Sequence, residues 1–114
     1  MKTMAFAAPI LPGKTEDWKN LCKDLQGPRK KEFTESRRRM GVKVERTYLQ
    51  HTPGADMVIV SIEGDDAENF FKKLGSSADP FDAWFRKRVM EIHGTDLAKQ
   101  SAAPSQPYMD FVGR

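Results

Sequence analysis

The sequence has a single cysteine, Cys22, among 114 residues. It therefore forms no intrachain disulfide and carries no cysteine-built metal site. A chain without disulfides is expected in a reducing, cytoplasmic setting. Histidines are as sparse, only His51 and His93, and no carboxylates are spaced around them to complete a ligand set. No metal is implied. No apolar run approaches the roughly 20 residues of a membrane span. The stretch Met4-Ala5-Phe6-Ala7-Ala8-Pro9-Ile10-Leu11 is too short and is interrupted by proline, so it reads as a first strand rather than a leader. Also missing are a glycine-rich phosphate loop, a nucleophile elbow and a paired-carboxylate motif, and no cofactor is implied.

What remains is ordinary for a folded domain. At 39% hydrophobic and 31% charged residues the chain is not of the disordered class. Its length is that of one domain, which buries about two-thirds of its unfolded surface and supports its own core. The net charge of +3 is weaker and less clustered than nucleic-acid binders show, so nucleic acid is not an expected partner.

Residues 3–11 end at Pro12-Gly13, a strand-then-turn signal. Thr15 is the expected cap of a first helix, with Glu16 and Asp17 in its opening turn. Trp18, Leu21, Cys22 and Leu25 make one apolar face at helical spacing. Gly27-Pro28 then gives either a kink in one helix running to Met40 or a break between two, with Phe33 and Met40 continuing the stripe. The runs Arg29-Lys30-Lys31 and Arg37-Arg38-Arg39 read as a solvated face, with Arg37 or Arg38 free to turn inward at the helix end. Cys22 reads as a packed small side chain.

Gly41 to Gly64 is the spine of the sequence, two strands joined through Thr52-Pro53-Gly54-Ala55. The first alternates Val42, Val44, Arg46, Tyr48 and Gln50 with Lys43, Glu45, Thr47, Leu49 and His51. The second carries Met57 and Ile59 on one face and Val58, Val60 and Ile62 on the other, as a central strand covered on both sides does. The sequence leaves the register open. A short helix over 66–75 follows, and Asp79-Pro80 opens a further one, whose stripe is Phe81, Trp84, Phe85, Val89 and Ile92. Gly94 stops it. Residues 1–97 form the core domain, 98–107 a flexible linker, and 108–114 a last strand or tail completing the sheet.

The order of elements is β-α-β-β-α-β, the ferredoxin-like pattern: an α+β fold with a four-stranded antiparallel sheet and helices on one face. Its first and third strands are expected in the centre. The two-faced apolar strand 57–62 asks for a cover on the other side, and a second copy of the sheet supplies it. A homodimer is expected.

The segments Thr47-Tyr48-Leu49-Gln50-His51-Thr52-Pro53, Asp79-Pro80-Phe81-Asp82-Ala83-Trp84-Phe85 and Ile92-His93-Gly94 extend this reading. With the layout of residues 1–97, they resemble the dimeric α+β barrel superfamily, and within it a small, functionally uncharacterised bacterial family. The resemblance implies a ligand pocket between sheet and helices. Its members include cofactor-independent monooxygenases, isomerases, haem-binding enzymes and proteins of unknown role, so it does not decide whether this chain is an enzyme. On this footing His51 is the candidate base, and Arg46, Tyr48, Trp84 and His93 are candidates to bind a small, partly apolar organic ligand. A non-catalytic dimeric interaction or stress protein is the alternative, and RNA association through the basic helix a third.

Overall fold

The computed structural model describes residues 2–99 and 104–113. Strand β1 (Lys2–Pro9) is followed by helices α1 (Thr15–Gln26) and α2 (Lys30–Arg39), then by strands β2 (Val44–His51) and β3 (Asp56–Gly64). A single 3-10 turn at Ala67–Asn69 leads into α3 (Phe70–Ser76), and α4 (Pro80–His93) closes the helical layer. The fold is thus mixed α+β, with four helices and a three-stranded antiparallel sheet, in the order β1-β3-β2, among the described residues. Among the described residues no helix is long and apolar enough to cross a membrane.

The break at Gly27-Pro28 separates two helices. Pro28 has no amide hydrogen to continue the ladder, and the amides of Gly27 and Arg29 both fold back onto the Asp24 carbonyl, at 3.3 and 2.8 Å. The expected cap at Thr15 is not made. Its hydroxyl donates instead to Asp56 Oδ2 at 2.6 Å, tying the start of α1 to the start of β3. At α4 the local chemistry plays out as the sequence reads. Asp79 accepts from the Phe81 amide at 2.9 Å, Pro80 takes the first helical position, and Gly94 ends the helix at φ 74°.

The register is set with His51 opposite Asp56, so Thr52 to Ala55 form the turn. Thr52 closes it, donating its hydroxyl to the Ala55 carbonyl at 2.5 Å. Glu45, Thr47 and Leu49 then stand beside Ile62, Val60 and Val58. From the other side Met4, Phe6 and Ala8 join the same three residues. Val58, Val60 and Ile62 are buried in one core with Leu21 of α1, Phe70 and Leu74 of α3, and Ile92 of α4. The helices therefore cover that face of the sheet. The opposite face, with Met57, Ile59 and Ser61 in its centre, is only half-buried.

Two expectations change. The first strand lies at an edge, and the sheet has three strands among the described residues rather than four. Residues 104–113 carry no regular secondary structure, and Tyr108, Met109, Phe111 and Val112 are exposed. Pro104 and Pro107 cannot donate to a ladder and break up the approach to this segment, while Tyr108 to Val112 keep their amides and still form no strand. The segment's one backbone bond to the free edge of β1 runs from the Ser105 amide to the Ala5 carbonyl, at 2.7 Å. At the other end of the sheet, a β-carbon on Gly64 would lie 2.0 Å from the Gly41 carbonyl oxygen. Only glycine lets the chain leaving α2 cross so close to the end of β3.

Candidate functional site

Between the sheet and the helices lies a cavity of about 110 Å³. Phe6, Val58, Val60, Leu21, Leu74 and Phe85 make much of its apolar wall, and Arg37, Glu45, Thr47, Cys22 and His93 bring polar atoms to it. Thr47, on the edge strand β2, is exposed. Its lining, apolar with a few placed polar groups, is like that of small-molecule sites, although the cavity is smaller than the roughly 300–1,000 Å³ usual for them.

Arg37 is the unusual member. It belongs to a run of three arginines, yet only 5% of it is exposed. Its position follows from helical spacing, since Phe33 puts residues 36 and 37 on the same inward face. The guanidinium carbon sits 4.6 Å from the ring centre of Phe33, 4.7 Å from Phe85 and 5.1 Å from Phe70. These three faces hold the cation from its flanks. Nε donates to Glu45 Oε1 at 2.7 Å, and Nη1 donates to Ser36 Oγ at 3.1 Å. Nη2 is buried and has no protein partner. Leaving a buried donor unsatisfied costs about 1–3 kcal/mol, more on a charged group.

A polar chain fixes Arg37 in place. Ser36, fully buried, donates to Asp82 Oδ1 at 2.5 Å. Asp82, also fully buried, accepts from Ser77 Oγ at 2.6 Å and from Arg39 Nη2 at 3.0 Å through its other oxygen. The network runs from β2 through the end of α2 to the first turn of α4. Burial pushes the Asp82 carboxyl up, and this is the largest single influence. The bonds from Ser36, Ser77 and Arg39 together outweigh it and hold the group below its ordinary value.

His93 reaches the cavity from the last turn of α4. Its Nδ1 lies 2.8 Å from the Pro9 carbonyl oxygen. A carbonyl only accepts, so Nδ1 carries the proton and Nε2 keeps a lone pair. Burial lowers the affinity of the ring for a second proton, against the pull of the Pro9 bond. The Cys22 thiol is pushed up, first by burial and then by the charge of Glu45. It stands as a thiol rather than a thiolate at neutral pH.

The other predicted site residues lie elsewhere. His51 ends β2 with its side chain 73% exposed and its Nδ1 2.7 Å from Asp56 Oδ1. Asp56 is held below the usual carboxylate range by the Thr15 hydroxyl and then by His51. The three side chains clamp the end of the hairpin to α1. Arg46 and Tyr48 are exposed and share the outer face of the sheet, Arg46 beside Glu63 at 3.4 Å. Trp84 packs at the margin of the core with the Arg29 guanidinium 3.9 Å above its ring, and it does not line the cavity. Of the five candidates, then, the structure brings His93 to the cavity and leaves the others apart from it. Glu45 carried no functional reading in the sequence, and Arg37 that of a basic helix face open to RNA or of an arginine turned inward at the helix end. Among the described residues no group of three or more His, Cys, Asp or Glu is placed to hold a metal ion.

No protein-family model matches this sequence, and no curated protein matches it significantly.

Proposed function

We propose that the chain is a ferredoxin-like protein of the dimeric α+β barrel type that holds a small, partly apolar organic molecule in the cavity between sheet and helices. The observation that carries this reading is the cavity itself, apolar over most of its wall and reached by Arg37, Glu45, Thr47 and His93. Arg37 and Glu45 already form a neutral pair at 2.7 Å. A ligand carboxylate would leave the cavity with net negative charge, which a low-dielectric site penalises. A neutral polar group, such as a ketone, avoids that cost.

The simplest test uses benzylacetone, a neutral aromatic ketone. It is expected to shift the methyl resonances of Leu21, Val58, Val60 and Leu74 and to slow modification of Cys22 by thiol reagents. Shifts confined to surface residues, with Cys22 unprotected, would remove the reading.

The homodimer rests on the outer face of the sheet. Ala7, Ile59 and Tyr48 form one row across the three strands, with Met57 beside them. Each large apolar side chain left in water forgoes roughly 1.5–3 kcal/mol of burial. Light scattering should give twice the mass of one chain, and Ile59→Asp should halve it. A wild-type protein that stays monomeric at micromolar concentration sinks the dimer.

A further inference from the structure

Resting on the homodimer read from the outer sheet face, we propose that Tyr108 to Val112 form an exchanged arm. Each copy packs this arm against the margin of the outer sheet face of the other.

The segment collects apolar surface that its own chain does not cover. Tyr108, Met109, Phe111 and Val112 are 65–93% exposed, and the other large apolar side chains left exposed among the described residues, Leu11, Tyr48 and Met90, are scattered. Single exposed apolar side chains are ordinary on a protein surface, whereas four within five residues mark a contact surface. An apolar cover lies close by. The Ser105 amide donates to the Ala5 carbonyl at 2.7 Å, and Ala5, opposite Ser61, belongs to the outer face of the sheet. Tyr108 follows that anchor by three residues, at most about 10 Å of extended chain. The outer face of the arm's own sheet is therefore within reach, and the four side chains do not take it. Docking within one chain benefits from a high effective concentration. A segment that stands out from a reachable apolar face of its own chain is placed to meet another copy.

The area of the sheet makes the same demand. Its strands have eight, eight and nine residues. Three such strands cover roughly 14 by 26 Å, a face of about 370 Å². A stable interface takes about 800 Å² from each partner. Sheets packed face to face thus supply about half of what each copy needs to give. A buried Tyr or Phe contributes about 150–250 Å². Tyr108 and Phe111 bring each copy close to the required area, and Met109 and Val112 complete it. The arm adds to the facing sheets, whose apolar row is Ala7, Ile59 and Tyr48 with Met57 beside it.

The test mixes isotope-labelled and unlabelled full-length wild type, so that only contacts between copies are recorded. Ring protons of Tyr108 and Phe111 should show contacts to methyl groups of Ala7, Met57 or Ile59 in the second copy. In the full chain, Tyr108→Ser with Phe111→Ser should raise the dimer dissociation constant about hundredfold, read by light scattering on dilution. Neither residue belongs to the core, so the fold of each copy does not depend on them. A wild type that stays monomeric at micromolar concentration removes the arm and the dimer together. A dimer with contacts only between the sheets, weakened less than about threefold by the double substitution, removes the arm and leaves the dimer standing. Arm contacts found within one chain and absent between copies also overturn the exchange. The contact measurement on wild type needs no variant, so a poorly behaved double variant does not rescue the idea.

Discussion

Replacing Asp82 by alanine is expected to lower stability by about 3–5 kcal/mol, with a fall in Tm on the order of 15 °C for a domain of this size. The side chain is fully buried and serves three donors, Ser36, Ser77 and Arg39. Removing it strands the Ser36 and Ser77 hydroxyls and takes from Arg39 its closer carboxylate, at 3.0 Å against 3.2 Å for Asp79. It also leaves a void beside the first turn of α4. Thermal denaturation checks the size of the effect. A loss below about 1 kcal/mol would mean that water replaces the carboxylate at no cost and that the network is not a strut.

The same residue predicts how stability follows pH. The folded Asp82 carboxyl titrates below its ordinary value, so folding favours the charged form. Its contribution is complete above the unfolded pKa, about 4, and fades as the pH falls through that value toward the folded one. Wild type should therefore lose stability below about pH 4 more steeply than Asp82→Asn, whose side chain does not titrate. Parallel acid-melting curves for the two proteins would contradict the assignment.

How the sequence encodes this structure depends on the range of each interaction. Asp79-Pro80 and Gly94 bound α4 through chemistry that acts within a turn, and both signals stand in the sequence as written. The run from Met57 to Ile62, apolar but for Ser61, marks the central strand for a similar reason, since both of its faces meet protein or half-covered surface. The site depends on contacts between residues far apart. A turn of four residues, Thr52 to Ala55, turns Glu45 and Thr47 inward and sends Arg46 and Tyr48 outward, and a slip of one residue would have reversed them. Both sets mix polar and apolar side chains, so hydropathy does not choose between them. Asp82 looks like an ordinary first-turn acid of α4 until Ser36, from another helix, is placed beside it. Arg37 looks like one of three solvated arginines, although its four-residue spacing from Phe33 puts it on the buried stripe. That spacing is a legible signal, and the charge masks it. The tail from Tyr108 to Val112 shows the converse. Its composition is that of a strand, but its side chains lie exposed and no strand forms there.

Arg37→Met should cost about 3–5 kcal/mol, because the Glu45 carboxylate, with its side chain only 15% exposed, is left without a cation in an apolar surround. The penalty belongs to the orphaned charge rather than to the lost bond. Removing both partners, as in Arg37→Met with Glu45→Leu, should therefore restore stability to within about 1 kcal/mol of wild type or exceed it. The double variant would be well folded with the charged pair gone from the cavity wall, which separates the energetics of the fold from those of the site. If it is as unstable as the single variant, the bond from Arg37 to Ser36 carries the stability instead. Glu45→Gln then tests the charge argument directly. It leaves the guanidinium uncompensated, so the cavity gains a net positive charge, and hydrocinnamate should replace benzylacetone as the better ligand by about tenfold or more. Persistence of the ketone preference in that variant would show that the shape of the cavity, not the neutral Arg37–Glu45 pair, sets what it accepts.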